Sequence, residues 1–190
     1  MSSQPPVVVA YRADWPERAA SLLGQLETTL QGRVDRIDHI GSTAIAGMAA
    51  KDLLDLQASV DDLAVAGREL DEPLAVLGFT PSPYRRDHVP AGRNDDPSAW
   101  EKRLWVRRDH DDGDVNLHVR RAGSPNERLA LLFRDWFRAH PDAVPAYAAF
   151  KRALAGTTPD TEVYADVKDP VVDLVMVTAE AWALSVGWRP

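Results

Sequence analysis

The residues best placed to do chemistry form a Gly-Ser turn and the strand that follows it. In the run Asp38–Thr43, a strand leads into Gly41 and Ser42, and Asp55 comes shortly afterwards in the apolar run Leu53–Val60. Such a turn frees backbone N–H groups, and a helix that begins there adds its positive end, so together they form a cradle for phosphate. The carboxylate of Asp55 is placed to hold a divalent metal ion beside that phosphate. The alternative is a tight turn whose serine caps a helix.

Alternation along Leu53–Val60 separates a polar set of side chains from an apolar one. Successive side chains of a β-strand point to opposite faces, so Asp55 and Gln57 share one face and the leucines share the other. A polar face of this kind is either a set of ligands or a surface exposed to solvent. We expect a ligand face, with Asp55 and Gln57 among the metal ligands.

Two further runs, Lys102–Arg108 and Asp114–Arg121, alternate as strands do and are joined by an Asp-Gly turn typical of a hairpin. If the aliphatic residues of both strands face the core, the opposite face is cationic and carries a tryptophan. The residues expected on this face are Arg103, Trp105, Arg107, His118 and Arg120. Such a groove suits a phosphorylated ligand, with the tryptophan stacking on a base. The alternative is a charged sheet surface in contact with solvent.

Three side chains near the turn and the hairpin have more than one reading. Imidazole titrates near neutrality, so His118 can be a metal ligand, a general base or a hydrogen-bonded polar residue; we expect a role in the site. Lys51 can reach a phosphate as a point charge or lie at the surface, and we expect the former. His39, beside the turn, is expected to orient it through a hydrogen bond.

The elements that position these residues follow from helix caps, stop signals and periodicity. The first helix is expected to begin at the N-cap Asp14 and run to Gln31. The other expected elements are strands over Arg33–Ile40, Leu53–Val60, Lys102–Arg108 and Asp114–Arg121, helices over 61–77, 125–139, 142–155 and 160–186, the last broken or kinked at Asp169-Pro170, and a loop over Pro81–Ala99. Because strands precede a helical end, we predict one α+β domain over residues 1–190. It combines a small mixed β-sheet of four or five strands, helices packed on one side and a helical C-terminal part.

Composition narrows the classes of function. With 45% hydrophobic and 27% charged residues in 190, the chain is typical of one globular domain. No apolar run approaches the ~20 residues that span a membrane, and the N-terminus has no signal-like core. The absence of cysteine excludes disulfides and thiolate nucleophiles. The expected compartment is therefore the cytoplasm. A net charge of −7 argues against an extended nucleic-acid surface, so a small phosphorylated molecule is the expected partner.

An ordered set of motifs resembles one known family. The block His39–Leu56 resembles the signature of GrpB-like proteins, and the resemblance continues in Asn116–Val119 and Tyr147–Lys151. Such proteins look like members of the polymerase-beta-type nucleotidyltransferase superfamily, and GrpB-like domains also occur fused to dephospho-CoA kinase in some bacteria. The resemblance implies a nucleotidyltransferase-like fold, with Gly41 and Ser42 at the phosphate turn and the first carboxylate, Asp55, on the next strand.

The superfamily pattern has three carboxylates, and this chain departs from it at two of them. The second position holds Gln57, and the neighbouring strand offers His118. Two Mg²⁺ ions need oxygen ligands with more negative charge than one aspartate, one amide and one imidazole supply. The expected cofactor is a divalent metal, Mg²⁺ or Mn²⁺ before Zn²⁺.

Three functions remain open at this point. The first is nucleotidyl or phosphoryl transfer on a nucleotide or another phosphorylated small molecule, with the metal on Asp55, Gln57 and His118 and Arg107 neutralising phosphate. The second is a binding module that keeps the phosphate turn without metal chemistry. The third is a partner in coenzyme A biosynthesis, implied by the fusions of the family.

Overall fold

The computed structural model describes residues 5–108, 110–111 and 113–190. In this part of the chain, a five-stranded mixed sheet is combined with six α-helices. The strands are β1 Arg36–Ile40, β2 Leu53–Val60, β3 Thr80–Pro81, β4 Lys102–Arg107 and β5 Asp114–Arg121. The helices are α1 Trp15–Thr29, α2 Leu63–Glu69, α3 Asp71–Val76, α4 Pro125–Ala139, α5 Val144–Ala155 and α6 Thr161–Val186. The predicted α+β class and the mixed sheet are confirmed.

The order of the strands in the sheet is β1-β2-β5-β4-β3. The central pair, β2 and β5, is parallel, whereas β1, β4 and β3 join through antiparallel pairs. The parallel register places Asp55 beside Asn116 and Gln57 beside His118. The two strands that carry the predicted site residues are therefore neighbours, and their polar side chains share one face.

The other face of the sheet is apolar and packs against α1, α2 and α3. Its core combines alternate residues of β2 and β5, such as Leu56 and Leu117, with Trp15 and Leu26 of α1, all fully buried or nearly so. Burial of such side chains contributes roughly 1.5–3 kcal/mol each relative to exposure. This core fixes the register of β2, so the alternate residues of the strand have to face the opposite side.

A second core lies over the polar face and joins α4, α5 and α6. Phe137 of α4, Tyr147 of α5 and Met176 of α6 belong to it, together with Ile45 and Met48 from the segment after the Gly-Ser turn. The three C-terminal helices are thereby held above the polar side of the sheet and leave a cavity beside it. None of the described helices is long and apolar enough to cross a membrane.

Several element boundaries differ from the prediction. The helix expected over 61–77 is two helices, α2 and α3, and Asp62 caps the first by accepting hydrogen bonds from the N–H groups of Ala64 and Val65 at 2.6 and 3.0 Å. The last helix runs continuously through Pro170, so the expected break is absent. The hairpin of β4 and β5 is confirmed, while Asp109 and Asp112 of its turn lie outside the described residues.

Candidate functional site

A cavity of about 560 Å³ lies between the polar face of the sheet, the Gly-Ser turn, the 82–99 segment and the C-terminal helices. Most of the predicted site residues line it. Its polar lining includes Gly41, Ser42, Thr43, Lys51, Asp55, Asp87, Lys102, Asn116, His118, Arg120, Lys151 and Lys168. Aromatic side chains of α4, α5 and α6, of the 82–99 segment and of the residue that follows it complete the wall. They are Phe133, Tyr147, Tyr164, Tyr84 and Trp100.

The Gly-Ser turn is held against Asp55. Gly41 adopts φ 69° and ψ −166°, a region open essentially to glycine alone, and Ser42 begins a single 3-10 turn. A Cβ atom on Gly41 would lie 2.8 Å from Asp55 Oδ2 and 3.0 Å from its Cβ. As predicted, His39 orients the turn, since its Nε2 lies 2.9 Å from the hydroxyl of Thr43. The turn and the carboxylate thus form one unit.

We expect Gly41→Ala to destabilise the chain by about 3 kcal/mol, because the new side chain meets both a forbidden backbone conformation and Asp55. Urea unfolding followed by circular dichroism measures the change. Gly24→Ala is the matched control: Gly24 is an exposed glycine inside α1 with nothing within 4 Å of an added Cβ. Its replacement should stabilise by about 0.5–1 kcal/mol. Equal effects at the two glycines would contradict the close approach.

Asp55 is ionised in this setting. Its Oδ1 accepts hydrogen bonds from Asn116 Nδ2 at 3.0 Å and from His118 Nε2 at 3.4 Å. Burial raises the pKa of Asp55, but the hydrogen bonds from His118 and Asn116 and the charge of Lys51 outweigh it and hold the pKa well below its ordinary value. The cavity therefore contains one fixed carboxylate beside the turn.

His118 is neutral and donates a hydrogen bond to the carboxylate of Asp55. Burial, together with the charges of Lys102 and Arg120, lowers its pKa to about 4. Since an ionised Asp55 only accepts hydrogen bonds, Nε2 of His118 carries the proton, and Nδ1 faces the cations of Lys102 and Arg120 at 3.4 and 3.5 Å. Both ring nitrogens are thereby engaged within the protein.

Asp87 neutralises the two cations on this side of the cavity. This residue of the 82–99 segment forms ion pairs with Lys102 and, at 2.9 Å, with Arg120, and it accepts a hydrogen bond from Asn126 at 3.0 Å. Burial raises the pKa of Asp87, but the charges of Arg120 and Lys102 outweigh this effect and hold the pKa far below its usual range. These interactions hold the 82–99 segment against the sheet. They also neutralise much of the charge of Lys102 and Arg120, so these two residues attract an anionic ligand only weakly.

The amines of Lys151 and Lys51 differ from the two ion-paired cations above, because no carboxylate of the described residues lies within 4.0 Å of either amine. Lys151 is only 2% exposed, and its Nζ donates to Ser42 Oγ at 2.8 Å. The nearest aromatic partners are the ring of Tyr147, 5.3 Å from Lys151 Nζ, and the ring of Tyr164, 5.6 Å from Lys51 Nζ. Burial lowers the pKa of Lys151 to about 7 and also lowers that of Lys51. The amines border the cavity beside the Gly-Ser turn.

Three predicted ligand-binding residues lie on the wrong face of the sheet for this cavity. The register pairs Leu104 with His118 and Trp105 with Leu117, so the tryptophan belongs to the apolar core and not to the polar face. Arg103 and Arg107 lie two residues before and two residues after Trp105 on the same strand. They therefore face the same side of the sheet as the tryptophan, away from the cavity.

The contacts of these three residues confirm that placement. Trp105 Nε1 donates to Asp71 of α3 at 2.8 Å, and the guanidinium of Arg107 stacks over the ring of Phe79 at 5.5 Å. A Cβ added at Gly67 in α2 would meet the guanidinium of Arg103. The expected roles in stacking a base and neutralising phosphate are therefore corrected to packing against α2, α3 and the segment before β3.

The expected metal shell of Asp55, Gln57 and His118 does not assemble. Gln57 is fully buried; its amide oxygen accepts from Arg120 at 2.5 Å and its amide nitrogen donates to the carbonyl oxygen of Glu127 at 3.3 Å. This amide joins the sheet to α4 and does not line the cavity. In the part of the chain that the structure describes, no three His, Asp or Glu residues are grouped so as to hold a metal ion.

Sequence reasoning missed two important residues, Lys151 and Asp87. Lys151 lies one helical turn after the buried Tyr147, and a lysine on the apolar stripe of α5 is a signal that sequence reasoning can use. Asp87 gives no such signal, because it lies in a loop and its partners are 15 and 33 residues away in sequence.

Comparisons with known proteins agree with this architecture. Residues 5–177 match the family described as GrpB protein. The crystal structure of conserved protein GrpB from Enterococcus faecalis superposes with a TM-score of 0.68 over 96% of this chain and all of that one, at 21% identity, which shows a common fold.

Curated relatives include longer proteins. The chain is 36% identical over 93% of its length to a protein of Mycolicibacterium paratuberculosis named dephospho-CoA kinase, of which it covers 46%. It is 29% identical over 92% of its length to UPF0157 protein YqkA of Bacillus subtilis, of which it covers 47%. The chain thus spans about half the length of these relatives. On the match over residues 5–177, it belongs to the GrpB family.

Proposed function

We propose that the cavity binds a phosphorylated small molecule of the nucleotide class, with its phosphate at Ser42, Lys51 and Lys151. The observation that carries this proposal is the pair of amines, buried in Lys151 and half-buried in Lys51, neither of which lies within 4.0 Å of a carboxylate of the described residues. A buried charge is costly unless it is paired, so two such amines beside one cavity favour an anion between them. Phosphate, with a charge of about −1.5 to −2 near neutral pH, matches two ammonium groups.

The shape of the cavity supports the nucleotide class. The phosphate end is the Gly-Ser turn, where a 3-10 turn begins at Ser42 and its hydroxyl already accepts a hydrogen bond from Lys151. Aromatic rings line the same cavity, among them Trp100 and Tyr164. Bases and other planar groups stack on such rings, with a gain of about 1–3 kcal/mol per base. The family's resemblance to nucleotidyltransferases agrees with this class of ligand.

The donor set does not fit the two-metal centre of a nucleotidyltransferase. Asp55 is the carboxylate held against the turn, Gln57 binds Arg120, and both nitrogens of His118 face protein groups. Two divalent ions need several oxygen ligands with negative charge, and the amine of Lys51 near Asp55 opposes them. We therefore favour ligand binding over metal-dependent transfer, and we assign Asp55 and His118 to holding the turn and the neighbouring strand in place.

The relatives named dephospho-CoA kinase favour one subclass of ligand. The 36% identity to such a protein suggests dephospho-coenzyme A, which carries both phosphate groups and an adenine base, as the first candidate. A partnership with an enzyme of coenzyme A biosynthesis is the second candidate function, and it rests on the same identity. Stimulation of a separate dephospho-CoA kinase by this chain would distinguish it from binding alone.

A thermal-shift panel tests the proposal. Nucleotides, dephospho-coenzyme A, sugar phosphates and inorganic phosphate are each added with Mg²⁺, Mn²⁺, Zn²⁺ or a chelator. A ligand at 100 times its Kd adds about 2.7 kcal/mol of stability, which is readily measured. We expect a shift that persists in chelator. A shift that requires metal and disappears in Asp55→Asn would support transfer instead, and no shift with any phosphorylated compound would contradict the proposal.

The affinity for the ligand should depend on pH through the protonation of the Lys151 amine. Its pKa of about 7 means that the free site loses the proton above neutral pH, while an anionic ligand favours the ammonium form and raises the pKa. Affinity should therefore fall by up to about tenfold per pH unit between roughly pH 7.5 and 9. Calorimetry at pH 8 in buffers of different ionisation enthalpy should show about one proton taken up per ligand. Proton uptake that persists in Lys151→Met would contradict this assignment.

A further inference from the structure

The outward face of α6 is apolar and exposed over almost its whole length. The inward face contributes Val172, Met176, Ala179 and Ala183 to the second core. The exposed aliphatic residues on the other side are Val163 at 38%, Val167 at 47%, Leu174 at 69%, Val177 at 68% and Leu184 at 84%. Single exposed aliphatic residues are normal, but a continuous stripe marks an interaction surface.

The spacing of these residues is that of a coiled-coil seam. Together with the exposed Pro170 and Ala181, they recur at alternating steps of four and three residues from Val163 to Leu184. This is the a and d pattern of a heptad repeat, by which one helix packs along another. The seam, defined as these seven residues, extends for roughly 32 Å at a rise of 1.5 Å per residue.

We propose that two copies of the chain associate through the α6 seam, with their helices antiparallel about a two-fold axis. In one register the two-fold axis passes between Leu174 and Val177. Leu174 of each copy then contacts Val177 of the other copy. The same register places Val167 opposite Leu184 and Pro170 opposite Ala181. The face is thus self-complementary, as a two-fold interface requires.

The charges beside the seam lie on one flank. The opposite flank is uncharged, with Val171, Thr178 and Ser185. The charged flank carries Asp166, Asp173 and Glu180, of which Asp173 and Glu180 are already paired within their own chain.

Asp173 Oδ1 lies 2.8 Å from His88 Nε2, and Glu180 forms a bidentate ion pair with Arg128 at 2.5 and 2.8 Å. The antiparallel register brings Asp173 towards Glu180 of the second copy, so Arg128 also lies near the acid from the other chain. The acidic flank does not suit an anionic membrane surface, which attracts basic helices.

Light scattering after gel filtration tests the association. The natural chain should have twice the 21.0 kDa mass of one copy, and Leu174→Glu with Val177→Glu should return it to a single copy with an unchanged circular dichroism spectrum. Val76→Glu in α3 is the matched control, since Val76 is 80% exposed and lies away from the seam; it should stay a dimer. A natural chain that is monomeric up to about 100 µM would overturn the proposal.

Cysteine cross-linking tests the direction of the helices without charged substitutions. The chain has no cysteine, so single-cysteine variants react only at the chosen position. A mixture of Val167→Cys and Leu184→Cys chains should form a mixed disulfide, because its Cα atoms have to approach within about 6 Å. Two copies of Val167→Cys should not, since antiparallel helices hold these positions roughly 25 Å apart. Efficient pairing of Val167→Cys with itself would contradict the antiparallel arrangement.

Discussion

Lys151→Met should make the ligand-free chain more stable while removing its ability to bind phosphorylated ligands. The amine is buried beside Ser42 without a carboxylate partner among the described residues, and burial, together with the charge of Lys168, lowers its pKa to about 7. Methionine keeps roughly the length of the aliphatic stem and removes the amine that has to be desolvated. We expect about 1–4 kcal/mol of added stability in urea unfolding and a loss of affinity of about 10- to 100-fold.

The pH dependence of stability provides a second check on the same residue. The unfolded lysine keeps its proton to about pH 10.5, whereas the folded one loses it near pH 7. The unfolded chain therefore holds the extra proton between these values, and the natural chain should gain stability from this group as pH rises from 7. In Lys151→Met this gain should be absent.

The neighbouring Arg152 supplies the control for both measurements. It is exposed on the same helix and has the same charge, so Arg152→Met should change stability by less than about 0.5 kcal/mol and leave affinity intact. A destabilised Lys151→Met would contradict the account, because it would show that the amine is satisfied within the protein.

Asp87→Asn should be the most destabilising polar substitution around the cavity. Removal of this charge leaves Lys102 and Arg120, 9% and 6% exposed, without their counter-charge. Breaking a buried ion pair at one partner costs about 3–5 kcal/mol, and the two cations should also repel each other. Urea unfolding should show a lower midpoint with an unchanged slope.

The double variant Asp87→Asn with Lys102→Met separates lost charge balance from lost packing. If the penalty comes from unpaired cations, removal of one cation should recover part of it. Asp95→Asn in the same segment is the control, because Asp95 pairs with Arg93 near the surface and should cost about 1 kcal/mol or less. Equal losses at Asp87 and Asp95 would show that the buried network contributes no special stability.

The sequence predicts the parts of the site that depend on local pattern. The Gly-Ser turn, the strand Leu53–Val60 and the hairpin follow from period-two alternation and turn residues, and the structure has them. The polar face of Asp55 and His118 follows for the same reason, because one residue in two of a buried strand has to face away from the core.

The sequence predicts the wrong face of β4 because Leu104 and Trp105 are adjacent and both apolar. Alternation alone cannot decide which of two neighbouring apolar residues enters the core. The prediction assigns the aliphatic residues to the core, whereas the structure buries the tryptophan, whose Nε1 donates to Asp71, against α3. The indole offers more apolar area to the core than leucine does, and its N–H finds a partner there.

The rest of the site depends on contacts between residues far apart in sequence. Lys151 reaches Ser42 across 109 residues, and Arg120 takes the oxygen of Gln57 across 63. The second contact converts an expected metal ligand into a link between the sheet and α4. No local pattern specifies such pairs, since they follow from how α4, α5 and α6 pack over the sheet.

The most direct test is a calorimetric titration of the tightest phosphorylated ligand from the thermal-shift panel, in chelator, into the natural chain and into Lys51→Met with Lys151→Met. We predict one site per chain in the natural protein and at least about 100-fold weaker binding in the double variant, whose fold is checked by circular dichroism. Unchanged affinity in the double variant, or binding to the natural chain only when a divalent metal is present, would contradict the proposal that Lys51 and Lys151 hold the phosphate.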